Sequence, residues 1–393
     1  MSKNYKYLII GGGMTADAAV HGIRERDQTG TIAMLCGENH PPYDRPPLSK
    51  KLWTGKPLEV IWRKPGDPAA VVLLDTRAVK GDAAARTITD SRGEVYRYEK
   101  LLLATGGAPR RLPHADDGVI YFRTLDDYQR VRALADRKSE FVVIGGGFIG
   151  SEVAAALAMN GCRVTMVFPD RAIGAHFYPP QLADFLNGYF RDKGVTVLAG
   201  ETVRAVKKDG ARFVVETGSG QAPSADAVVA GIGIQPEVGL AGSLGLKVDN
   251  GIVVDAQLRA AAPDIYAAGD VANYYSTALD MRRRVEHEDN ANVMGAMAGR
   301  NMAGAAENYD YLPYFYSDLF DLGYEAVGEF GTGLDVVEDW REPFRKGVVY
   351  YLKGDKVRGV LLWNTWGQVD AARALIGGKA SFDAPALKGR IQD

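Results

Sequence analysis

The sequence predicts an α/β fold with two dinucleotide-binding units, because one strand–glycine–helix pattern occurs twice in the chain. In the first copy, residues 8–16, an apolar strand ends in three glycines and a helix follows. The second copy, residues 141–152, carries Gly145, Gly146 and Gly147 at the same point. Glycine is also abundant, with 46 of 393 residues, or roughly 12% against an average of about 7%. That content suits many tight turns between strands and helices.

The small residues of the first copy have separate roles. Gly11 permits the tight turn, Gly13 lets a pyrophosphate approach the backbone, and Ala16 lets the helix pack closely on the strand. The phosphates then lie at the positive end of the helix, against free N–H groups. One copy alone is a weak signal, but two copies predict two bound dinucleotides.

Composition excludes several classes of protein. The net charge of −2 gives no electrostatic basis for binding nucleic acid or an anionic membrane. No apolar run reaches the roughly 18 residues of a membrane span. The first strand follows the N-terminal residues directly and leaves no room for a signal peptide. We therefore expect a cytoplasmic protein without a membrane span.

The two cysteines, Cys36 and Cys162, are far apart in the sequence. Because there is no C-x-x-C pair, neither a dithiol redox centre nor a cysteine zinc site is available. We expect two buried free thiols and no metal site.

A carboxylate follows the second strand of each βαβ unit. Glu38 follows the strand at 31–36, and Asp170 follows the strand at 163–168. A carboxylate at this point accepts hydrogen bonds from ribose hydroxyls. Asp170 would repel a 2′-phosphate and therefore favours NADH, whereas the neighbouring Arg171 could accept that phosphate and keeps NADPH open.

Other segments point to the same ligands. Four prolines stiffen the loop at 40–53, which holds the cations of Arg45 and Lys50. An apolar strand opens into a glycine turn at 101–110, where backbone can approach a ligand closely. Asp270, after a strand and a glycine, either caps the next helix or contacts a ribityl or phosphate group.

The remaining elements are assigned from their patterns. The basic run at 282–290 is predicted to open a helix, and the acids that follow it argue against nucleic-acid binding. Further helices are predicted at 126–134 and 368–376, and further strands near 203–206, 212–215, 227–230, 348–352 and 357–363.

Taken together, these motifs resemble a known family. Both glycine patterns, the ATGG turn at 104–107 and the AAGD turn at 267–270 are similar to the two-dinucleotide flavoproteins that include glutathione reductase. The RPPLSK segment at 45–50 resembles the ferredoxin-reductase branch of that family.

Within that branch, the apoptosis-inducing factors are most similar. The likeness lies in RRVEH at 283–287, YSD at 316–318 and GYEA at 323–326. Tyr316 stands where that family has Trp, the long polar insertion of the animal proteins is missing, and we expect no mitochondrial leader. The chain therefore resembles a compact microbial relative, to which the animal protein's role in cell death is not extended.

The resemblance implies a glutathione-reductase-like fold of three domains. A discontinuous FAD-binding domain would comprise residues 1–117 and 243–308, and an NAD-binding domain residues 118–242. Residues 309–393 would form a C-terminal α+β interface domain against the flavin.

The resemblance also implies cofactor and catalytic residues. The FAD contacts would be Gly11, Gly13, Glu38, Arg45, Lys50, Val79, Arg110, Asp270 and His287. The NAD contacts would be Gly147, Phe148, Ile149, Asp170, Gly233, Glu286 and Glu325, and the cofactor-binding set also includes Met14, Thr105, Gly106 and Tyr316. The catalytic set would be Lys50, Glu152, Phe148 and His287.

In the family, the lysine matching Lys50 pairs with the glutamate matching Glu152 beside the flavin N5 edge, and an aromatic residue matching Phe148 covers the ring. The function expected from this is an FAD-dependent NADH oxidoreductase. Without a dithiol, its electrons would leave the flavin directly for a quinone or a small iron protein such as ferredoxin or rubredoxin.

Two alternatives stay open. One is a redox-gated interaction protein with slow turnover and NADH-dependent dimerisation, as the match at Glu286 and His287 suggests. The other is the reductase component of a ferredoxin or rubredoxin system.

Overall fold

The computed structural model describes residues 3–64, 66–378 and 380–391, which form two compact units. The first unit consists of Met1–Asp44, Leu58–Ala108 and Gln235–Tyr314, and the second of Arg45–Pro57, Pro109–Ile234 and Phe315–Asp393. The three-domain division at 117, 242 and 308 stays a prediction.

Strands are numbered along the chain: β1 (Lys3–Ile10), β2 (Ile32–Leu35), β3 (Val71–Leu73), β4 (Ala78–Asp82), β5 (Thr87–Asp90), β6 (Val95–Leu103), β7 (Gly107–Pro109), β8 (Ile120–Tyr121), β9 (Glu140–Ile144), β10 (Arg163–Phe168), β11 (Thr196–Ala199), β12 (Val203–Asp209), β13 (Arg212–Thr217), β14 (Ser224–Ala225), β15 (Ala227–Ala230), β16 (Ile234–Pro236), β17 (Ile252–Val253), β18 (Ile265–Ala267), β19 (Ala272–Ser276), β20 (Met281–Arg283), β21 (Tyr314–Leu319), β22 (Leu322–Gly328), β23 (Asp335–Glu342), β24 (Lys346–Lys353) and β25 (Lys356–Trp363). The α-helices are α1 (Met14–Arg24), α2 (Leu125–Asp136), α3 (Phe148–Met159), α4 (Pro180–Asp192), α5 (Gly239–Ser243), α6 (Glu288–Met302), α7 (Val369–Gly377) and α8 (Ala384–Leu387).

The first unit is built on a sheet in the order β3-β2-β1-β6-β5-β4, with β18 also paired to β6. Strands β3, β2, β1, β6 and β18 run parallel, and β5 pairs antiparallel with both β6 and β4. Strands β2 and β18 and the carboxyl-terminal ends of β1 and β6 are buried, whereas β3 at the edge of the sheet is exposed. The centre of the sheet is therefore covered on both faces at the end where the strands finish.

Helices α1 and α6 of the first unit pack at very short range because glycines lie in their contact. A Cβ at Gly295 would lie 2.4 Å from the Thr15 carbonyl oxygen, and one at Gly299 would lie 2.1 Å from that of Ala19. From Gly295 to Gly299 in α6, the contact in α1 moves in the same direction, from Thr15 to Ala19. The two helices therefore run parallel, and both N-termini lie at the same end of the unit.

The second unit contains a parallel sheet in the order β11-β10-β9-β15-β8 and an antiparallel sheet β12-β13-β14. Its C-terminal part is a sheet in the order β21-β22-β25-β24-β23, in which the pairs β22–β25, β25–β24 and β24–β23 are antiparallel. Large aromatic side chains fill the core of that sheet, among them Trp363, Tyr324, Tyr350 and Tyr351.

Most predicted elements are present, and one prediction is wrong. The strand at 163–168 is β10, and the helices predicted at 126–134 and 368–376 are α2 and α7. The basic run does not open a helix: Arg282 and Arg283 lie in β20, which pairs antiparallel with β19. Helix α6 begins only at Glu288, because strand pairing in the folded chain overrides the local helical pattern.

Candidate functional site

One edge of the parallel sheet in the first unit gathers several of the predicted cofactor residues. Ile10 lies opposite Leu35 in β2 and opposite Leu103 in β6, and Ala267 also lies opposite Leu103. The strands therefore end together, and the segments after them carry Gly11, Gly13, Glu38, Thr105, Gly106 and Asp270. Ligands of open parallel sheets bind at such carboxyl edges, where the strand order reverses.

The two outer glycines of the first turn differ in what their surroundings demand. Gly11 has a φ of +138°, and a Cβ there would lie 2.2 Å from the Ala104 carbonyl oxygen, so the fold itself requires glycine. Gly13 has a φ of −92°, which any residue adopts, and a Cβ there would meet no described atom within 4 Å. The space above Gly13 is therefore free for a ligand.

Helix α1 begins at this open space. Gly13 is its N-cap residue and offers no side chain to bond the first N–H groups of the helix. Met14 is the first helical residue. An uncapped helix N-terminus with room above its cap glycine fits a pyrophosphate.

Glu38 is held in place by Tyr43, whose hydroxyl donates a hydrogen bond of 2.6 Å to its Oε2. Cys36, two residues earlier, is a buried free thiol. Burial, and then the charge of Glu38, raises the pKa of the Cys36 thiol to about 12. A Cβ at Gly12 would lie 2.6 Å from the Cys36 sulfur, so this cysteine packs under the glycine turn.

Asp270 and the start of helix α6 belong to the same end of the first unit. A Cβ at Gly269 would lie 2.2 Å from the Thr15 hydroxyl oxygen, so Asp270 lies close to the start of α1. The buried guanidinium of Arg284 donates to the Asp270 carbonyl oxygen at 2.9 Å and pairs with Glu286 at 2.5 Å. His287 is the N-cap residue of α6.

Of the predicted cofactor residues in the first unit, Thr105 and Gly106 belong to the turn after β6, whereas Val79 lies apart from that edge. The Thr105 hydroxyl donates to the Glu237 carbonyl oxygen at 2.6 Å, and Gly106 has a φ of +65° in the same turn. Val79 is 52% exposed and lies on β4, in the antiparallel part of the sheet rather than after a parallel strand.

The second unit repeats the glycine geometry. Gly145 has a φ of +119°, and a Cβ there would lie 2.4 Å from the Gly231 carbonyl oxygen. Gly147, the N-cap of α3, has a φ of −83° and would place a Cβ more than 4 Å from any described atom. Gly150 approaches Gly145 so closely that a Cβ would lie 2.1 Å from the Gly145 oxygen. A second dinucleotide phosphate therefore fits above Gly147.

Asp170 lies after β10 at the carboxyl edge of that sheet. Its Oδ1 lies 2.9 Å from Nε2 of the exposed His176. Arg171 binds two groups of α4, donating to Asp184 Oδ2 and to the Pro180 carbonyl oxygen at 3.0 Å each. Because Arg171 is engaged there, Asp170 is the better placed to contact a ribose.

Two arginines of the predicted set bind backbone within the second unit. The Arg110 N–H donates to the Gly233 carbonyl oxygen at 3.0 Å, and Gly233 has a φ of +85°. The Arg45 guanidinium donates to the Arg123 carbonyl oxygen at 2.9 Å. Arg110 and Gly233, predicted for different dinucleotides, are thus neighbours.

Glu152 is the centre of a buried polar cluster in the second unit. Its Oε2 accepts from Lys50 Nζ at 2.7 Å and from the Ser49 hydroxyl at 2.6 Å. Its Oε1 accepts from the Ser317 hydroxyl at 2.6 Å. The side chains of Lys50 and Glu152 are only 8% and 3% exposed. The predicted pair therefore exists as a buried ion pair with two additional donors.

The Lys50 ammonium is only partly satisfied by the chain. It lies 5.3 Å from the centroid of the Tyr316 ring, but among the described residues Glu152 is its one hydrogen-bond acceptor. An ammonium has three N–H donors, and buried donors are normally paired. Lys50 therefore fits a role as donor to a polar atom of a bound cofactor such as a flavin.

Phe148 begins α3 and is 36% exposed, and its neighbour Ile149 is 39% exposed. The Phe148 ring packs against Phe177 and Phe315, with centroids 5.1 Å and 5.5 Å away. An exposed ring that packs against neighbouring aromatic rings suits a residue that covers a ligand and then moves.

Glu325, on β22, accepts a hydrogen bond of 2.9 Å from the Gly367 N–H.

Four residues of these sites, Ser49, Ser317, Tyr43 and His176, were not predicted from the sequence. Ser49 and Ser317 stand inside the two motifs that carried the resemblance, and this position is a signal that could have found them. Nothing in the sequence indicates His176. Among the described residues, no group of His, Cys, Asp and Glu could hold a metal ion, and no helix is long and apolar enough to cross a membrane.

Two glycine turns built for dinucleotide phosphates, with a buried lysine–glutamate pair, define a protein that binds two dinucleotides. Residues 5–295 match the family model described as pyridine nucleotide-disulphide oxidoreductase. The chain therefore belongs to the pyridine nucleotide-disulphide oxidoreductase family. Residues 335–378 also match a model described as apoptosis-inducing factor, mitochondrion-associated, C-term.

Curated relatives cover almost the whole chain. The ferredoxin–NAD(+) reductase component of the anthranilate 1,2-dioxygenase system of Burkholderia cepacia is 34% identical, over 97% of this chain and 96% of its own length. Apoptosis-inducing factor 1 of Dictyostelium discoideum is 32% identical, over 95% of this chain and 78% of its own length.

Solved structures are also similar to this chain over almost its whole length. The ferredoxin reductase for the CYP199A2 system of Rhodopseudomonas palustris has a TM-score of 0.89, with 29% identity over 97% of this chain and 96% of that one. The covalent putidaredoxin reductase–putidaredoxin complex has a TM-score of 0.88, with 27% identity over 96% of both chains. The two-dinucleotide fold with a C-terminal domain is thus confirmed, and the chain is an FAD-dependent NAD(P)H oxidoreductase with FAD and NAD(H) as cofactors.

Proposed function

We propose that the protein takes electrons from NADH and delivers them, by way of FAD, to a small iron protein. The observation that carries this proposal is the absence of a dithiol, since Cys36 and Cys162 are both buried free thiols. Burial raises the pKa of both thiols above the ordinary value, so neither is a nucleophilic thiolate. Electrons must then leave the flavin for a group outside this chain.

FAD, when bound, accepts a hydride and gives up its electrons singly, which links a nicotinamide to a one-electron iron centre. The chain supplies binding and a fixed electrostatic field. The glycine turns at Gly13 and Gly147 hold the phosphates, and Glu38 and Asp170 accept from ribose hydroxyls. The Lys50 ammonium, anchored by Glu152, favours the negative charge that reduction adds to the flavin.

A small iron protein is the acceptor best supported among the candidates. The Burkholderia cepacia relative is a ferredoxin–NAD(+) reductase component, and a solved neighbour was captured with putidaredoxin. A quinone is the second candidate acceptor. A cytoplasmic location is also proposed here, since free buried thiols fit a reducing compartment.

One other function is favoured by a specific observation. Residues 335–378 match the C-terminal model of apoptosis-inducing factor, and the Dictyostelium discoideum relative carries that name. A redox-gated interaction protein would turn over slowly and form a homodimer on reduction. Both functions require NADH to reduce FAD, so they differ only in the fate of the reduced flavin.

Acceptor screening tests the proposal. The holoprotein is reduced with one equivalent of NADH without oxygen and is mixed in a stopped-flow instrument with a [2Fe–2S] ferredoxin, a rubredoxin, a soluble quinone or an aromatic disulfide. Fast flavin reoxidation by an iron protein supports the proposal, and a Cys36→Ala/Cys162→Ala variant should behave the same. Slow reoxidation by every acceptor, with an NADH-dependent doubling of mass in light scattering, would favour the interaction protein.

A further inference from the structure

The Glu152 carboxylate receives donors from two separate parts of the second unit. Ser49 ends a short 3₁₀ helix, Pro46–Ser49, and is followed directly by Lys50. Ser317 lies on β21, and Glu152 itself is on the first turns of α3. We infer that Ser49 and Ser317 are positioning residues, which fix the Glu152 carboxylate and through it aim the Lys50 ammonium. This inference rests on the proposed role of Lys50 at the flavin.

The two serines divide the oxygens of Glu152 in a way that fixes its rotation. Ser49 donates to Oε2, the oxygen that also binds Lys50, and Ser317 donates to Oε1, each at 2.6 Å. The last torsion of a glutamate side chain has only a broad preference of its own. Two donors on different oxygens and different elements set that torsion, whereas one donor would leave the carboxylate free to turn.

The position of Lys50 depends on that torsion. The lysine ammonium is a point charge on a flexible stem of four carbons, and it has no planar geometry of its own. Its contacts here are the 2.7 Å hydrogen bond to Glu152 and the face of the Tyr316 ring. If the carboxylate turns, Oε2 moves and the ammonium moves with it, so its remaining N–H groups no longer point in one direction.

Replacing either serine should change the electrostatic environment of the flavin in a predictable direction. The hydroxyl hydrogen offsets part of the carboxylate charge, and the fixed carboxylate keeps the Lys50 charge in place. Without the serine, the surroundings become more negative and the cation becomes mobile. Both changes disfavour added negative charge on a flavin, so both lower its midpoint potential.

The experiment is a potential measurement on holoprotein variants by spectroelectrochemical titration. We expect Ser49→Ala and Ser317→Ala each to lower the equilibrium constant for two-electron flavin reduction about tenfold, a shift of about −30 mV. In a Lys50→Met background, the same serine substitutions should shift the potential much less, because the cation they aim is gone. Ser317→Thr, which keeps the hydroxyl, should restore the value of the unmodified protein.

Ser151 provides the matched control. It is a buried serine adjacent to Glu152, but its hydroxyl donates to the Gly147 and Phe148 carbonyl oxygens. Ser151→Ala should leave the potential unchanged. If Ser317→Ala fails to fold, Ser49→Ala on the other element decides the question.

Equal potentials in the serine variants and the unmodified protein, or equal shifts with and without Lys50, would overturn the inference. Failure of the proposed function is a separate result, because it would show as slow reoxidation of the reduced flavin by every acceptor, whereas the inference is tested by the midpoint potential alone.

Discussion

The imidazole of His176 lies 2.9 Å from the carboxylate of Asp170, with Nε2 directed at Oδ1, at the carboxyl edge of the parallel sheet in the second unit. His176 is 84% exposed, so it steadies the acid without removing it from solvent. Arg171, the neighbour that could have reversed the cofactor preference, is bound to Asp184 instead. From this arrangement we expect the protein to prefer NADH over NADPH.

Asp170→Ala should therefore lower kcat/KM for NADH by about tenfold to a hundredfold, since a hydrogen bond to a charged group contributes about 1.5–3 kcal/mol. Use of NADPH should fall less, so the gap between the two narrows. Steady-state kinetics with both nucleotides measure this. Asp184→Ala is the matched variant: it releases Arg171 and should improve NADPH use while NADH use stays. A preference of the unmodified protein for NADPH would show that Arg171 decides.

The sequence alone could predict those parts of the candidate site that depend on neighbours in the chain. The glycine turns, the acids after the second strands and most helix and strand positions were predicted, because spacing and periodicity act locally. Glu152, by contrast, meets donors 103 and 165 positions away, which no local pattern shows. The basic run at Arg282 and Arg283 was predicted to open a helix, and its pairing with β19 is visible only in the fold.

A substitution in the glycine turn of the second unit can separate an effect on folding stability from an effect on NADH binding. Gly147→Ala should leave the melting temperature unchanged, because its φ of −83° suits alanine and a Cβ would meet no described atom within 4 Å. It should still raise the KM for NADH at least tenfold, because the methyl group occupies the proposed phosphate space.

Substitutions at two other glycines are the controls for this result. Gly145→Ala should unfold or strongly destabilise the protein, because of its φ of +119° and the overlap with Gly231. Gly188→Ala, on α4 with open space around it, should stabilise slightly through helix propensity. Thermal melts and NADH titrations check all three. An unchanged KM in Gly147→Ala would place the phosphate elsewhere.

Phe148 tests whether the exposed ring covers the flavin. Moving it breaks two aromatic contacts, with Phe177 and Phe315, each of about 0.5–1.5 kcal/mol. Phe148→Ala removes that cost, so flavin reduction by subsaturating NADH should become several-fold faster while FAD stays bound. Stopped-flow absorbance measures the rate, and Phe185→Ala, which removes a ring of α4 that stacks on Tyr189 and Phe344, is the control. Unchanged kinetics would mean that Phe148 is ordinary packing.

Lys50 and Glu152 test the mechanism itself. Lys50→Ala should make the flavin harder to reduce, because it removes the cation that favours the reduced form. A tenfold change corresponds to about 30 mV for two electrons, and a buried charge can contribute several such steps. Glu152→Ala removes both the anchor of Lys50 and a negative charge that opposes reduction of the flavin. The midpoint potential of the flavin in this variant should therefore move upward or become heterogeneous. Lys51→Ala, at the exposed neighbouring lysine, should change nothing.

The double variant decides whether the pair acts as a unit. Lys50 Nζ and Glu152 Oε2 are 2.7 Å apart and both side chains are buried, so their effects on potential and on hydride-transfer rate should not add. Once Lys50 is gone, removing Glu152 can no longer displace it, and the second substitution should have only the effect of one lost negative charge. Additive shifts would show that the two side chains influence the flavin independently. No shift in any of the three variants would mean that the flavin lies outside the reach of this pair.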